Sequence, residues 1–172
     1  MGAVDFTSYG FGRDAREAFI QAVQQAQYDH GHAGYTGTIA EKGSYSLISL
    51  PPRVPPTRFL SWVEASTWAD TTYLREDLKR LEAQRAPRGQ GEAWRKRKAQ
   101  LRKSIKQSER DLAKIPAQHR ELVERAALTW NDKWGPALAF EVKGTEAAKA
   151  KKWAGLKGTR KRVFCFCGLA SS

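Results

Sequence analysis

The chain has little sulfur, few histidines and no long apolar run. Of its 172 residues only two are cysteine, one is methionine and three are histidine; the cysteines are too few for a disulfide scaffold, and none lies near His30 and His32 in sequence to complete a metal set. No stretch approaches the roughly 20 apolar residues that span a bilayer. The amino terminus lacks the basic-then-apolar order of a secretory signal. Met1-Gly2 offers the glycine of a myristoylation signal, but Phe6 stands where serine or threonine is needed. These absences predict an intracellular, cytoplasmic protein without a membrane partner. No internal repeat, P-loop or dinucleotide fingerprint is found, and no cofactor or metal is expected. The composition, 41% hydrophobic and 28% charged, is that of a chain that folds.

Acid is scarce as well: 18 carboxylates face 30 lysines and arginines, for a net charge of +12 and a pI near 10.0. The surplus is localised. Residues 75–128 hold 16 basic and 8 acidic side chains, and residues 143–162 hold 8 and 1, whereas residues 1–74 hold 5 and 7. Charge gathered in this way bears on partners, not on fold.

Helix signals open at Asp14, an N-cap followed by Glu17 three residues on, and run to residue 29 with Gly31 beyond. Ala15, Ala18, Phe19, Ala22, Val23 and Ala26 form one narrow apolar face, which predicts packing on a sheet. Thr38-Ile39-Ala40 and residues 45–50, on either side of Lys42-Gly43-Ser44, predict a β-hairpin. A stiff connector follows at Pro51-Pro52-Arg53-Val54-Pro55-Pro56. Phe59-Leu60-Ser61-Trp62-Val63 fits a short strand or a helical turn.

From residue 69 the chain turns charged and helical. Segments 69–84 and 92–114, joined by the turn at residues 86–91, predict an αα-hairpin with stripes of Leu74, Leu78 and Leu81 on one helix and Leu101, Ile105 and Leu112 on the other. Pro116 opens a third helix that returns to the body by about residue 131. Residues 137–142 and 163–167 predict two buried strands. In the second, Cys165 and Cys167 share one face of the strand, so free buried thiols are expected. The fold class is therefore α+β: a small, mostly antiparallel sheet with one packed amino-terminal helix in a discontinuous core (residues 1–65 and 129–172). A protruding charged helical arm with a returning helix, residues 66–128, interrupts it.

Two basic surfaces follow from these elements. Lys98, Arg102, Lys106, Arg110 and Lys114 recur every four residues, thickened by Arg95, Lys96 and Lys103. The ladder suits a phosphate backbone, although a solvated coiled-coil face would have the same composition. Lys149, Lys151, Lys152, Lys157, Arg160, Lys161 and Arg162 surround Trp153 almost without acid. Trp153 either stacks on an exposed base, as in single-strand binders, or anchors this segment to the core.

A third set of residues would serve an enzyme. Gly10-Phe11-Gly12-Arg13 before a helix amino terminus is suited to a phosphate, and the glycine-rich segment at residues 30–37, with His32 and Tyr35, is suited to a ligand approached by backbone. A helix cap followed by a tight connection accounts for the same glycines. Asp29, His30 and His32 lack further metal ligands, and no residue is assigned to catalysis.

Residues 34–42, Gly-Tyr-Thr-Gly-Thr-Ile-Ala-Glu-Lys, and the terminal Phe164-Cys165-Phe166-Cys167-Gly168-Leu169-Ala170-Ser171 resemble segments of small uncharacterised bacteriophage-encoded proteins, with Leu169 where that group carries tryptophan. The resemblance implies action in the bacterial cytoplasm during infection and transfers no activity. Three functions are compatible with the sequence. The first is a non-catalytic binder of nucleic acid or a nucleoprotein, RNA ahead of DNA. The second is a phage-type factor docking on an acidic host or defence protein, and the third is a small nucleotide-processing enzyme using Arg13, His32 and Tyr35.

Overall fold

A computed structural model describes residues 2–31, 34–68 and 71–171. Four strands, β1 (Ala3–Gly12), β2 (Tyr45–Ile48), β3 (Ala137–Val142) and β4 (Arg162–Ser171), form one sheet in the order β1-β4-β3-β2. The helices are α1 (Ala15–His30), α2 (Pro56–Thr67), α3 (Thr72–Ala83), α4 (Gly91–Ala113), α5 (Arg120–Asn131) and α6 (Gly144–Trp153). The α+β class is as expected, but the sheet is mixed: β1–β4 and β4–β3 are antiparallel, while β2 runs parallel to β3.

The chain divides into two compact units, Met1–Phe59 with Arg125–Ser172, and Leu60–Glu124. The first unit contains the sheet. Asp14 caps α1 by accepting the Glu17 amide at 2.9 Å. Ala15, Ala18, Ala22 and Ala26 lie buried against Phe6, Phe164 and Phe166. Alanine on the facing helix lets it sit close to the sheet, and two glycines of β1 bring it closer. A Cβ on Gly10 would overlap the carbonyl of Ala18, and one on Gly12 would lie 2.6 Å from the Ala18 nitrogen. These glycines are compatible in sequence with a phosphate site or with a helix cap and tight connection. They belong instead to a strand, in the role glycine takes where two backbones nearly touch.

The expected β-hairpin does not form. Thr38 accepts the Ala40 amide at 3.2 Å and caps a 3-10 turn over Ile39–Glu41 that sends Ile39 into the core with no exposure. Only residues 45–48 of the second arm become a strand. They pair with β3, delivered from the far side of the long insertion. Residues 59–63, compatible in sequence with a strand or a helical turn, are helical, within α2. The last strand is also longer than expected, reaching Ser171 opposite Ala3. Cys165 and Cys167 are buried free thiols, as anticipated.

In the second unit α3 and α4 form the expected αα-hairpin, burying Leu81, Leu101 and Ile105. The Trp94 indole donates to the Leu81 carbonyl at 3.2 Å. The expected start at residues 69–70 lies outside the described residues, and α3 begins at Thr72. The third helix is two pieces, a 3-10 turn over Ala117–His119 and then α5, and His119 stacks on Trp62 with ring centroids 5.7 Å apart. Among the described residues no helix is long and apolar enough to cross a membrane.

Candidate nucleic-acid interface

The α4 ladder is partly neutralised within its own hairpin. Arg102 binds Glu82 of α3 at 2.6 Å, Arg97 binds Asp77 at 2.9 Å, Arg75 binds Glu109, and Lys114 binds Asp111 at 2.6 Å. Arg97 and Arg80 together hold the Asp77 carboxyl below its ordinary range. These pairs are surface-exposed, so each contributes little to stability, but they occupy cations that a charge count leaves free. Arg95, Lys103, Lys106 and Arg110 are exposed and Lys98 is half-buried; none of these forms an ion pair among the described residues. Pairing between α3 acids and α4 cations was accessible to the sequence once the hairpin was assigned, because both helices carry charge along the flanks of their apolar stripes.

The carboxy-terminal cluster is differently built. Its lysines lie on α6, a helix the sequence reading did not foresee, and on the turn leading to β4. The helix ends in a Schellman motif: Leu156 donates to Lys151 at 2.7 Å and Gly155 donates to Lys152 at 3.2 Å, with Gly155 at φ 68°. That lock fixes the last turn, which carries Trp153, and Trp153 is 87% exposed. The core-anchor reading of this residue is therefore overturned.

Around it, Lys149, Lys152, Lys157 and Arg160 are exposed and form no ion pair among the described residues. Lys161 is exposed too and lies within electrostatic reach of Glu17. Lys151 donates to the Thr159 carbonyl at 3.1 Å, bracing the turn. Arg162 is committed: its guanidinium grips Glu141 through two bonds of 2.8 and 2.7 Å, which hold the Glu141 carboxyl low. At the foot of α6 a groove of about 760 Å³ opens, lined by Pro51, Pro52, Pro55, Glu141, Arg162 and Phe164.

The residues grouped as an enzyme site are not brought together. Arg13 follows Gly12, which pairs with Arg162 at the start of β4, whereas Gly37, close after Tyr35, donates to Ser171 at its end. The length of the ten-residue strand β4, about 30 Å, separates them. Arg13 is spent on Glu17, with its Nε at 2.8 Å and its amide at 3.1 Å. His32 lies outside the described residues. Tyr35 is 56% exposed at a left-handed φ of 70°.

A carboxylate that the sequence reading missed holds the Tyr35 loop. Glu41 accepts the Thr36 amide at 2.9 Å and its hydroxyl at 3.0 Å, and these bonds, led by the amide, keep its pKa below the ordinary carboxylate value despite partial burial. A depressed native pKa gives stability that is present above the unfolded value of about 4.3 and is lost as pH falls through the native one. Glu41→Gln is thus expected to lower stability at neutral pH and to flatten its decline in acid, read as urea midpoints across a pH series. A Glu41→Gln profile parallel to the wild type would reject this role.

No protein-family model, no curated protein and no solved structure matches the chain.

Proposed function

We propose that the protein binds single-stranded nucleic acid, RNA in preference to DNA, without catalysing a reaction on it, and that the α6 segment is its principal contact. One observation carries the reading: Trp153 is 87% exposed on a locked helical turn among Lys149, Lys152, Lys157 and Arg160, which are exposed and form no ion pair among the described residues. An indole in that position loses nothing by leaving water for a base face, and the surrounding lysines have phosphate as their natural counterion. RNA is preferred because its single-stranded segments are typically recognised by aromatic stacking, and no major-groove-reading module is evident in the sequence. The free cations of α4, Arg95, Lys103, Lys106 and Arg110, supply a second, sequence-tolerant surface.

Protein purified without nuclease is expected to carry nucleic acid, visible in its absorbance ratio at 260 and 280 nm. If Lys149, Lys152, Lys157 and Arg160 each meet one phosphate, the logarithm of affinity for a single strand should fall against the logarithm of salt with a slope of about −3. Trp153→Ala should weaken binding about tenfold at any one salt concentration. Nucleic-acid-free protein with no salt-dependent binding would reject the proposal.

A further inference from the structure

Between α5 and β3 the chain makes a turn at residues 132–135 that is held at nearly every polar atom. The Asp132 carboxylate accepts the amides of Trp134 at 3.0 Å and Gly135 at 2.9 Å. From beneath, the buried Lys42 donates to the carbonyls of Asp132, Lys133 and Gly135 at 2.9, 3.0 and 3.1 Å. A Cβ at Gly135 would lie 2.6 Å from Asp132 Cγ, so a side chain there would push the carboxylate off the two amides it accepts. This fixed turn displays Trp134, which is 64% exposed, with the Lys133 ammonium 5.0 Å from the ring centroid.

Tryptophan is on average well buried, and a rigidly held exposed one is the residue type that dominates binding energy at contact sites. Ordering it on binding costs little, because its backbone is already fixed. The pairing with a lysine narrows the occupant. An indole with an ammonium over one face matches one unpaired nucleotide, with the base on the other face and the phosphate at Lys133.

We infer that Trp134 is a second, preformed stacking platform for one unpaired base of a bound single strand, with Lys133 as its phosphate contact. The inference rests on the single-strand reading given above. The probes are a labelled single-stranded uridine dodecamer and an RNA duplex of the same length. Trp134→Ala is expected to weaken the single strand about tenfold, to leave the duplex unchanged and to keep the wild-type melting temperature. Trp134→Phe should restore most of the single-strand affinity.

Equal losses on both probes would overturn the inference, because stacking needs an unpaired base. So would an unchanged single-strand affinity in Trp134→Ala; a loss confined to Trp153→Ala would then leave the α6 proposal standing. If the wild type bound neither probe, both would fall. Loss of a protein partner with RNA binding intact would also overturn it.

Discussion

Gly10→Ala is expected to lose about 4 kcal/mol or more in equilibrium denaturation, or to fail to fold at moderate temperature, an effect at the exceptional end for one added methyl group. The reason is what the methyl would meet. The new Cβ would overlap the carbonyl oxygen of Ala18 and lie 2.8 Å from its carbon. Both are backbone atoms of α1 and cannot rotate aside as a side-chain tip would. To make room, α1 must lift from the sheet, and the fully buried Ala18 and nearly buried Ala22 then lose Phe164 and Phe166. Gly43→Ala is the control, because a Cβ there meets nothing within 4 Å, so its stability should stay within about 0.5 kcal/mol of wild type. A Gly10→Ala protein within about 1 kcal/mol of wild type would show that the helix does not approach as closely as described.

Lys42→Met should be the next most damaging substitution, costing about 3 kcal/mol in a urea titration at neutral pH. Lys42 is 4% exposed, and burial pulls its pKa down while Asp132 opposes that. Three donated bonds nevertheless require the ammonium, since a neutral amine has only two N–H groups to give. Methionine fills nearly the same volume but leaves the carbonyls of Asp132, Lys133 and Gly135 without this donor. The loss should appear with no change in the slope of the transition. A neutral outcome would mean that water replaces the ammonium at no cost.

The sequence disclosed elements whose signals are local. Asp14 and Glu17 marked the start of α1, alanine periodicity marked its buried face, and the leucine stripes marked the helical hairpin. What it concealed is set by partners remote in sequence. Nothing near Tyr45 says that β2 will lie parallel to β3, some 90 residues on. Gly10 and Gly12 suggest a loop until Ala18 is seen against them. Lys42 looks like an ordinary surface lysine in a Glu-Lys-Gly turn, and its three acceptors lie on the far side of the insertion. The candidate interface divides in the same way. The basic clusters were legible from composition, but which cations remain free depended on cross-helix pairs such as Arg102 with Glu82. The exposure of Trp153 depended on a helix whose lysine-rich sequence resembles a loop.

The strand order has a consequence for synthesis. Strand β4 lies between β1 and β3, yet it is the last of the four to leave the ribosome. Until then β1 has no neighbour to pair with, and the alanine face of α1 lacks the Phe164 and Phe166 surface it will cover. The nascent amino-terminal segment must stay unpaired while about 150 residues are added, and closing so long a loop is slow compared with forming the local α3–α4 pair. The helical hairpin can therefore fold well before the sheet, and β4 completes the sheet by entering between strands made earlier.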